Sequence, residues 1–431
     1  MRIVFIHPNM PGQYKHLARH FGANSAHEVV FITKHKTAEI SGVRRITFEV
    51  TRAPNEKTHR YLIPAERAVI QGQQLWRTAY ALKTSGFVPD IICAHPGWGD
   101  ALFIKDVFPN TPLLNFCEFY YRARGADVGF DPSESVTDDD LARMRIKNTN
   151  NILNLEAMDW GITPTAWQYA VHPKVFQSKL SVLHDGIDVN LCAPNDQAVF
   201  RLPSGAAEFR LGDEVITYIA RNFEPYRGFG TFMQAAEILL KARPNAHIIA
   251  VGADGVSYGK AAPKGTTYRA EWMKKVQLDT SRIHFVGTLP YAQLLTLFQV
   301  SAAHLYFTYP FVLSWSMLEA MSCGTPLIAS RTAPVMEVIR DNENGLLADF
   351  FSPEEVAQQV IRVLEKPALA KLLRSNARAS VVRHFNLADA LPLHIALIED
   401  LARGMKNPAA ASRIAKHYPL TAHQKMIQEM G

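Results

Sequence analysis

Three stretches of this sequence carry residue types that could bind an anion or a polyhydroxylated ligand. The apolar run Val215–Ala220 ends in Arg221-Asn222-Phe223-Glu224-Pro225-Tyr226-Arg227-Gly228, which sets two guanidinium groups six residues apart ahead of a helical pattern. Arginine stays charged and grips phosphate oxygens through a two-pronged fork, so this pair suits a diphosphate. Each such contact contributes about 1.5–3 kcal/mol when shielded from water. The competing reading at either position is a solvated or structurally paired arginine.

The second stretch, Tyr309-Pro310-Phe311-Val312-Leu313-Ser314-Trp315-Ser316-Met317-Leu318-Glu319-Ala320-Met321-Ser322-Cys323-Gly324-Thr325-Pro326, reads as loop, helix and stop. Ser314 or Ser316 is placed to cap the helix, and Gly324 with Pro326 ends it. Helical spacing puts Trp315, Ser316 and Glu319 on neighbouring faces, so a carboxylate able to accept both hydroxyls of a ribose sits one turn below amides suited to phosphate. A solvated helix glutamate is the plainer alternative.

The third is a pair of loops in the first half of the chain. His7-Pro8-Asn9-Met10-Pro11-Gly12-Gln13-Tyr14 follows a strand-like run, and Gly12 would let the backbone approach a ligand, or merely serve a turn. His95-Pro96-Gly97-Trp98-Gly99-Asp100 joins a titratable ring to an aromatic platform on which a sugar could stack, with a structural turn as its rival; Glu118 and Arg122 fall on the same expected rim. His95, Trp98, Glu118 and Arg122 are therefore candidates for an acceptor side. Asp138-Asp139-Asp140 resembles a metal cluster but suits a helix start, where acids favour the dipole. The sixteen histidines show no close ligand spacing, and Gly252–Gly259 lacks the GK[ST] of a Walker loop, though it could still close over a ligand.

These loops need elements to hold them. Short apolar runs alternate with helical patterns: Arg2–Ile6, Glu28–Thr33, Asp90–Ala94, Pro112–Cys117 and Trp160–Thr163, then, after Pro194–Gly212, Val215–Ala220, Ala246–Val251, Arg282–Val286, Ala303–Phe307 and Pro326–Ser330. Such alternation predicts α/β architecture, with two Rossmann-like, doubly wound parallel sheets. The expected divisions are residues 1–195, residues 196–385, and a helical tail, residues 386–431, that could return to the first domain. The tail holds two amphipathic candidates, Asp389–Arg403 and Thr421–Met430, joined by a polar, Ala-rich stretch.

The 431 residues suffice for two cores, and 48% hydrophobic with 20% charged residues is ordinary for a folded protein. A strand starting directly after Met1 leaves no room for an export signal, and no apolar run reaches bilayer length. Four separated cysteines read as reduced thiols, which together point to the cytoplasm. The net charge of +6 suits an anionic ligand or a membrane surface, but its dispersion and the lack of a motif argue against nucleic acid.

At this point the residues resemble a family, the retaining family-4 glycosyltransferases of GT-B architecture, of the type found in bacterial polysaccharide biosynthesis. Arg221…Arg227 resembles its Arg…Lys diphosphate clamp, and Leu318–Pro326 its donor-binding helix; Val182–Asp188 and Glu337…Asn344-Gly345-Leu346-Leu347 add weaker support. The resemblance implies two domains facing a cleft, a UDP- or GDP-linked sugar as donor, and transfer with retention to a hydroxyl of a glycan or lipid-linked acceptor. It implies neither cofactor nor metal. Catalytic roles fall on Arg221, Arg227 and Glu319, and donor binding on Gly12, Ser314, Trp315, Ser316 and Glu319. Lipid-linked acceptors would imply peripheral contact with the inner membrane. Two departures stand out: Phe311 occupies the place of a glutamate eight positions before Glu319, and Glu118 that of a histidine. An inactive sugar-nucleotide-binding or scaffold protein and a GT-B epimerase are the alternatives.

Overall fold

In the computed structural model, which describes residues 1–417, the chain divides into two compact units. The first joins Met1–Asp185 to the chain from Ala388 onward, and the second is Gly186–Leu387. The candidate helix Thr421–Met430 lies outside the described residues.

The first unit is built on seven parallel strands: β1 (Arg2–Ile6), β2 (Glu28–Thr33), β3 (Val43–Thr47), β4 (Ile91–Ala94), β5 (Leu113–Phe116), β6 (Trp160–Thr163) and β7 (Leu180–Val182), in the order β3-β2-β1-β4-β5-β6-β7. Alternate residues of β1 serve two different cores, as a period of two requires. Ile3 and Phe5 pack with Phe21 and Phe31, and with Leu397, Ile398 and Ile414 from late in the chain. Val4 and Ile6 pack with Leu75, Ala79 and Leu82 of the helix Ile63–Thr84. The late helices are Leu387–Ala402, which contains Pro392, and Ala409–His417, which begins where the sequence reads as a polar joint.

In the second unit a small hairpin, β8 (Val199–Arg201) and β9 (Glu208–Arg210), precedes six parallel strands. These are β10 (Val215–Asn222), β11 (His247–Ala253), β12 (Ile283–Phe285), β13 (Ala303–Tyr306), β14 (Leu327–Ser330) and β15 (Leu346–Ala348), in the order β12-β11-β10-β13-β14-β15. Tyr218 of β10 stacks on Phe232 of the helix Phe229–Ala242 with ring centroids 4.2 Å apart. Both sheets are thus doubly wound. In each, the first long strand has later strands on both sides, so the loops leaving β1 and β4, and those leaving β10 and β13, diverge at a switch point where such folds bind ligands.

Candidate active site

At the switch point of the second sheet, β10 runs straight into the Arg221–Arg227 segment, and a short 3-10 turn, Pro225–Arg227, sets the second arginine. Gly228 follows with φ +64°, and a Cβ there would come within 2.6 Å of Phe307, so glycine is required for the chain to turn into Phe229–Ala242. Arg221 is exposed and lines a pocket of about 60 Å³ together with Ile219, Ala220, Glu224, Arg227, Tyr258, Tyr306 and Ser314. Arg227 is buried; its Nη1 donates to Thr308 Oγ1 at 2.8 Å and to Tyr306 Oη and the Val312 carbonyl at 3.4 Å. The two arginines therefore differ in kind, one reaching solvent and one fixed beneath the pocket.

Glu224, wholly buried between them, organises the neighbouring loop. Its carboxylate accepts the backbone N–H groups of Ser257, Tyr258 and Gly259 at 3.0–3.2 Å, while Asn222 Oδ1 accepts that of Gly255 at 3.1 Å. Tyr258 is thereby held with its ring centroid 5.2 Å from the Arg227 guanidinium carbon. Tyr306 Oη accepts from both Arg227 and the Ser314 N–H, and burial pushes its phenol above the ordinary value. Its own O–H proton is thus retained for a further acceptor.

The helix Trp315–Ser322 begins at Ser314, whose Oγ accepts the Ser316 N–H at 3.4 Å and lies 2.9 Å from Ser316 Oγ. Trp315 projects outward. Glu319 is partly buried, and its Oε1 accepts from Tyr291 Oη at 2.7 Å. Phe311 is buried against Tyr258 and Tyr226, with centroids 5.0 and 5.7 Å away, so this wall of the pocket is aromatic where the resemblance implies a carboxylate.

At the switch point of the first sheet, His7 follows β1, His95 follows β4 and Glu118 lies just beyond β5. The Asn9 N–H donates to His7 Nδ1 at 2.9 Å and the Gly97 N–H to His95 Nδ1 at 3.3 Å, so in both rings Nδ1 is the acceptor and Nε2 carries the hydrogen. Burial, then His95, pushes His7 down to about 3. His95 Nε2 faces Glu118 Oε2 at 3.5 Å, and Gln13 Nε2 donates to Glu118 Oε1 at 3.1 Å. Gly12 has φ +50°, and a Cβ there would strike the His7 ring at 2.6 Å. Trp98, 41% exposed, packs on His95 and His7 with centroids 4.7 and 5.2 Å away, which leaves it as an open platform. Beneath lies Asp100, wholly buried and accepting from Gln71 Nε2 at 2.6 Å. Arg122 turns elsewhere: its guanidinium donates to the carbonyls of Val171 and Ala170 at 2.8 and 3.3 Å, closing the end of the helix Ala166–Val171. Asp139 pairs with Arg60 and Tyr61, and Asp140 completes a capping box with Thr137, so these acids serve the start of Asp138–Lys147.

Glu224, Tyr306, Thr308, Tyr258 and Tyr291 in one unit, and His7, Gln13 and Asp100 in the other, are not singled out by sequence reasoning. Glu224 carries a signal in hindsight, an acid set between two clamp arginines just past a strand end.

Residues 25–192 match the family model described as glycosyl transferase family 4 group, and residues 205–380 that described as glycosyl transferases group 1. Together the two matches span most of the chain. The chain belongs to the group 1/family 4 glycosyltransferases. Among curated relatives of this glycosyltransferase, D-inositol 3-phosphate glycosyltransferase of Segniliparus rotundus is 24% identical over 213 residues, 49% of this chain and 44% of the relative. An uncharacterised glycosyltransferase of Methanocaldococcus jannaschii is 31% identical over 105 residues, 24% of this chain and 27% of the relative. These matches span less than half the length of either relative. In structure, this glycosyltransferase resembles sucrose-phosphate synthase from Thermosynechococcus elongatus (TM-score 0.69, 18% identity, 94% of this chain and 100% of that one). It also resembles Anabaena HepE in complex with UDP-glucose (TM-score 0.61, 15% identity, 96% and 100%). The two parallel-sheet α/β units are those of GT-B glycosyltransferases.

Proposed function

We propose that this glycosyltransferase moves a sugar from a nucleoside diphosphate, with a uridine diphosphate sugar as the first donor to test, to a hydroxyl of a glycan or lipid-linked acceptor, with retention of configuration. The pocket at the β10/β13 switch point, lined by Arg221, Arg227 and Tyr306, carries the reading. The UDP and UDP-glucose held by the HepE structures support the choice of donor. In this reading the bond from the anomeric carbon to the diphosphate oxygen breaks and its electron pair leaves with the diphosphate. The acceptor oxygen forms the new bond on the same face, and its proton passes to the departing phosphate. Arg221 and Arg227 neutralise the charge that builds on the leaving group, amides of the helix start at Ser314–Ser316 add a fixed dipole, and Glu319 accepts the ribose hydroxyls. The buried, hydrogen-bonded Arg227 and the solvent-reaching Arg221 together supply the positive charge that a divalent cation could supply, so the reaction is proposed to need neither metal nor cofactor. Gly12 is assigned to donor binding, and His95, Trp98 and Glu118 to the acceptor side, from which Arg122 is turned away. A role in cell-surface polysaccharide assembly, in the cytoplasm and at the inner membrane, completes the proposal; no described helix is long and apolar enough to cross a membrane.

Calorimetry and thermal shift with UDP, GDP, ADP and their sugar conjugates, on wild type and Arg221→Ala, test it. One nucleotide class is expected to bind wild type, and Arg221→Ala to lower turnover about a hundredfold, the effect of losing one leaving-group contact of about 3 kcal/mol. Unchanged turnover in a folded Arg221→Ala protein would refute the assignment. Phe311 motivates the second reading, a donor-binding protein without turnover, which predicts tight nucleotide binding but neither transfer nor donor hydrolysis across an acceptor panel.

A further inference from the structure

Tyr306 ends β13, and its ring is packed in the core that Met317, Leu318 and Ala329 also fill, while the residue lines the pocket beside Arg221 and Arg227. Only 2% of it is exposed. The hydrogen bonds to its hydroxyl are one-sided. The Ser314 N–H donates to Oη at 2.8 Å and Arg227 Nη1 donates to it at 3.4 Å, so the oxygen accepts twice. Its own proton has no acceptor among the described residues. Buried hydroxyls nearly always donate, and for this one the outlet is the pocket that Tyr306 lines.

The two donors into Oη are groups that a phosphate site commonly uses directly. Here both are turned onto protein atoms. Arg227 Nη1 meets three oxygens, those of Tyr306, Thr308 and the Val312 carbonyl, and all three are neutral. At the helix start the Ser314 N–H goes to Tyr306 and the Ser316 N–H to Ser314 Oγ. A phenol that accepts from a cation and an amide is polarised from behind, which makes its O–H a stronger donor than that of a free phenol. We propose that Tyr306 is a catalytic residue of the transfer: its hydroxyl donates to the β-phosphate oxygen of the donor sugar nucleotide that carries the leaving bond. The inference rests on the donor reading of this pocket. As the bond from the anomeric carbon breaks, the electron pair stays on that oxygen and the phenol keeps its proton. Burial, which raises the phenol above its ordinary value, holds it in the donating form. Arg221 then meets the diphosphate from the solvent side, and the charge of buried Arg227 reaches it through the Tyr306 hydroxyl.

Tyr306→Phe keeps the ring and removes the hydroxyl. Calorimetry with UDP, GDP and ADP and with the three monophosphates, together with nucleotide release from the sugar conjugates, tests the full chain. Tyr306→Phe should weaken the diphosphate that wild type binds about tenfold or more, change the matching monophosphate by less than about twofold, and lower kcat about tenfold or more. Equal losses for diphosphate and monophosphate would overturn the inference, because the hydroxyl then only holds the helix start in place. Difluorotyrosine in place of Tyr306, a better donor and a poorer acceptor, should hold or tighten diphosphate binding at a pH below its own ionisation; weaker binding would overturn the inference in the same way. Wild-type affinity and turnover in a folded Tyr306→Phe protein would remove the role of Tyr306 and leave the donor reading standing. Wild type that binds none of the three diphosphates would remove both.

Discussion

Asp100 shows how far a single side chain departs from expectation once its surroundings are fixed. Burial pushes its carboxyl up to about 6, although the hydrogen bond from Gln71 and the charge of Lys34 act in the other direction. The folded state therefore keeps a proton that the unfolded chain has lost above about pH 4, and stability falls as pH rises from there through 6. Asp100→Asn, which still accepts from Gln71, should match wild type near pH 4. At pH 7.5 it should exceed wild type by about 3 kcal/mol, the free energy of holding a carboxyl proton across roughly two pH units; thermal unfolding at the two pH values decides this. Tyr291 bears on the other unit. If its phenol orients Glu319 toward ribose, Tyr291→Phe should raise the donor KM about tenfold with little change in kcat, the effect of one hydrogen bond to a charged acceptor. The same substitution should add almost nothing in a Glu319→Ala background, and additive effects on KM would show that the two residues act separately. The placement of Arg221 near a strand end and of Glu319 in the first turns of a helix is legible in the sequence, because apolar runs and a serine cap mark both elements. Asp100 and Tyr291 are not, since their importance comes from partners 29 and 28 residues away in the chain.

Among elements, the loop after β11 depends on a residue that is not part of it. Glu224 accepts three consecutive backbone N–H groups there, so Glu224→Ala would take the acceptor from three half-buried donors, at up to about 1 kcal/mol each. Amide exchange at residues 255–259 is expected to accelerate sharply in Glu224→Ala and less in Glu224→Gln, which keeps one carbonyl acceptor; equal protection in all three proteins would mean that the loop is held by other contacts. The strands are legible where they are fully buried and continuous in apolar residues: β1, β2 and β6 fall where the sequence puts them. Of the four edge strands only β12 is, inside the run Arg282–Val286. β3 is Val-Arg-Arg-Ile-Thr, half-exposed at the sheet margin, and β7 and β15 are three residues each, too short for a period to show. Phe311 is also an element-level fact, because its ring completes a wall with Tyr226 and Tyr258 that come from two other loops.

For the molecule as a whole, each unit has its own cores, so a ligand confined to one should stabilise that one first. Saturating donor nucleotide is expected to slow exchange at the amides of Ile216–Tyr218 in β10 and to leave those of Ile3–Phe5 in β1 as they were. Equal slowing in both would show that the units open together. The two-sheet architecture follows from the alternation of apolar runs, whereas the return of the chain to the first unit is only an option at the level of sequence, since an amphipathic helix does not announce which sheet it will cover. Ala390, Leu397, Ile398, Leu401, Ala410 and Ile414 fill the same core as Ile3, Phe5 and Phe31. A ribosome delivers Met1–Asp185 first, yet the material that closes this core arrives last, after the whole of Gly186–Leu387 has emerged. The order of birth and the order of maturation are thus reversed: the later-made, contiguous unit can finish before the earlier one, which must wait with an unclosed apolar face and would be the natural client of a chaperone during synthesis.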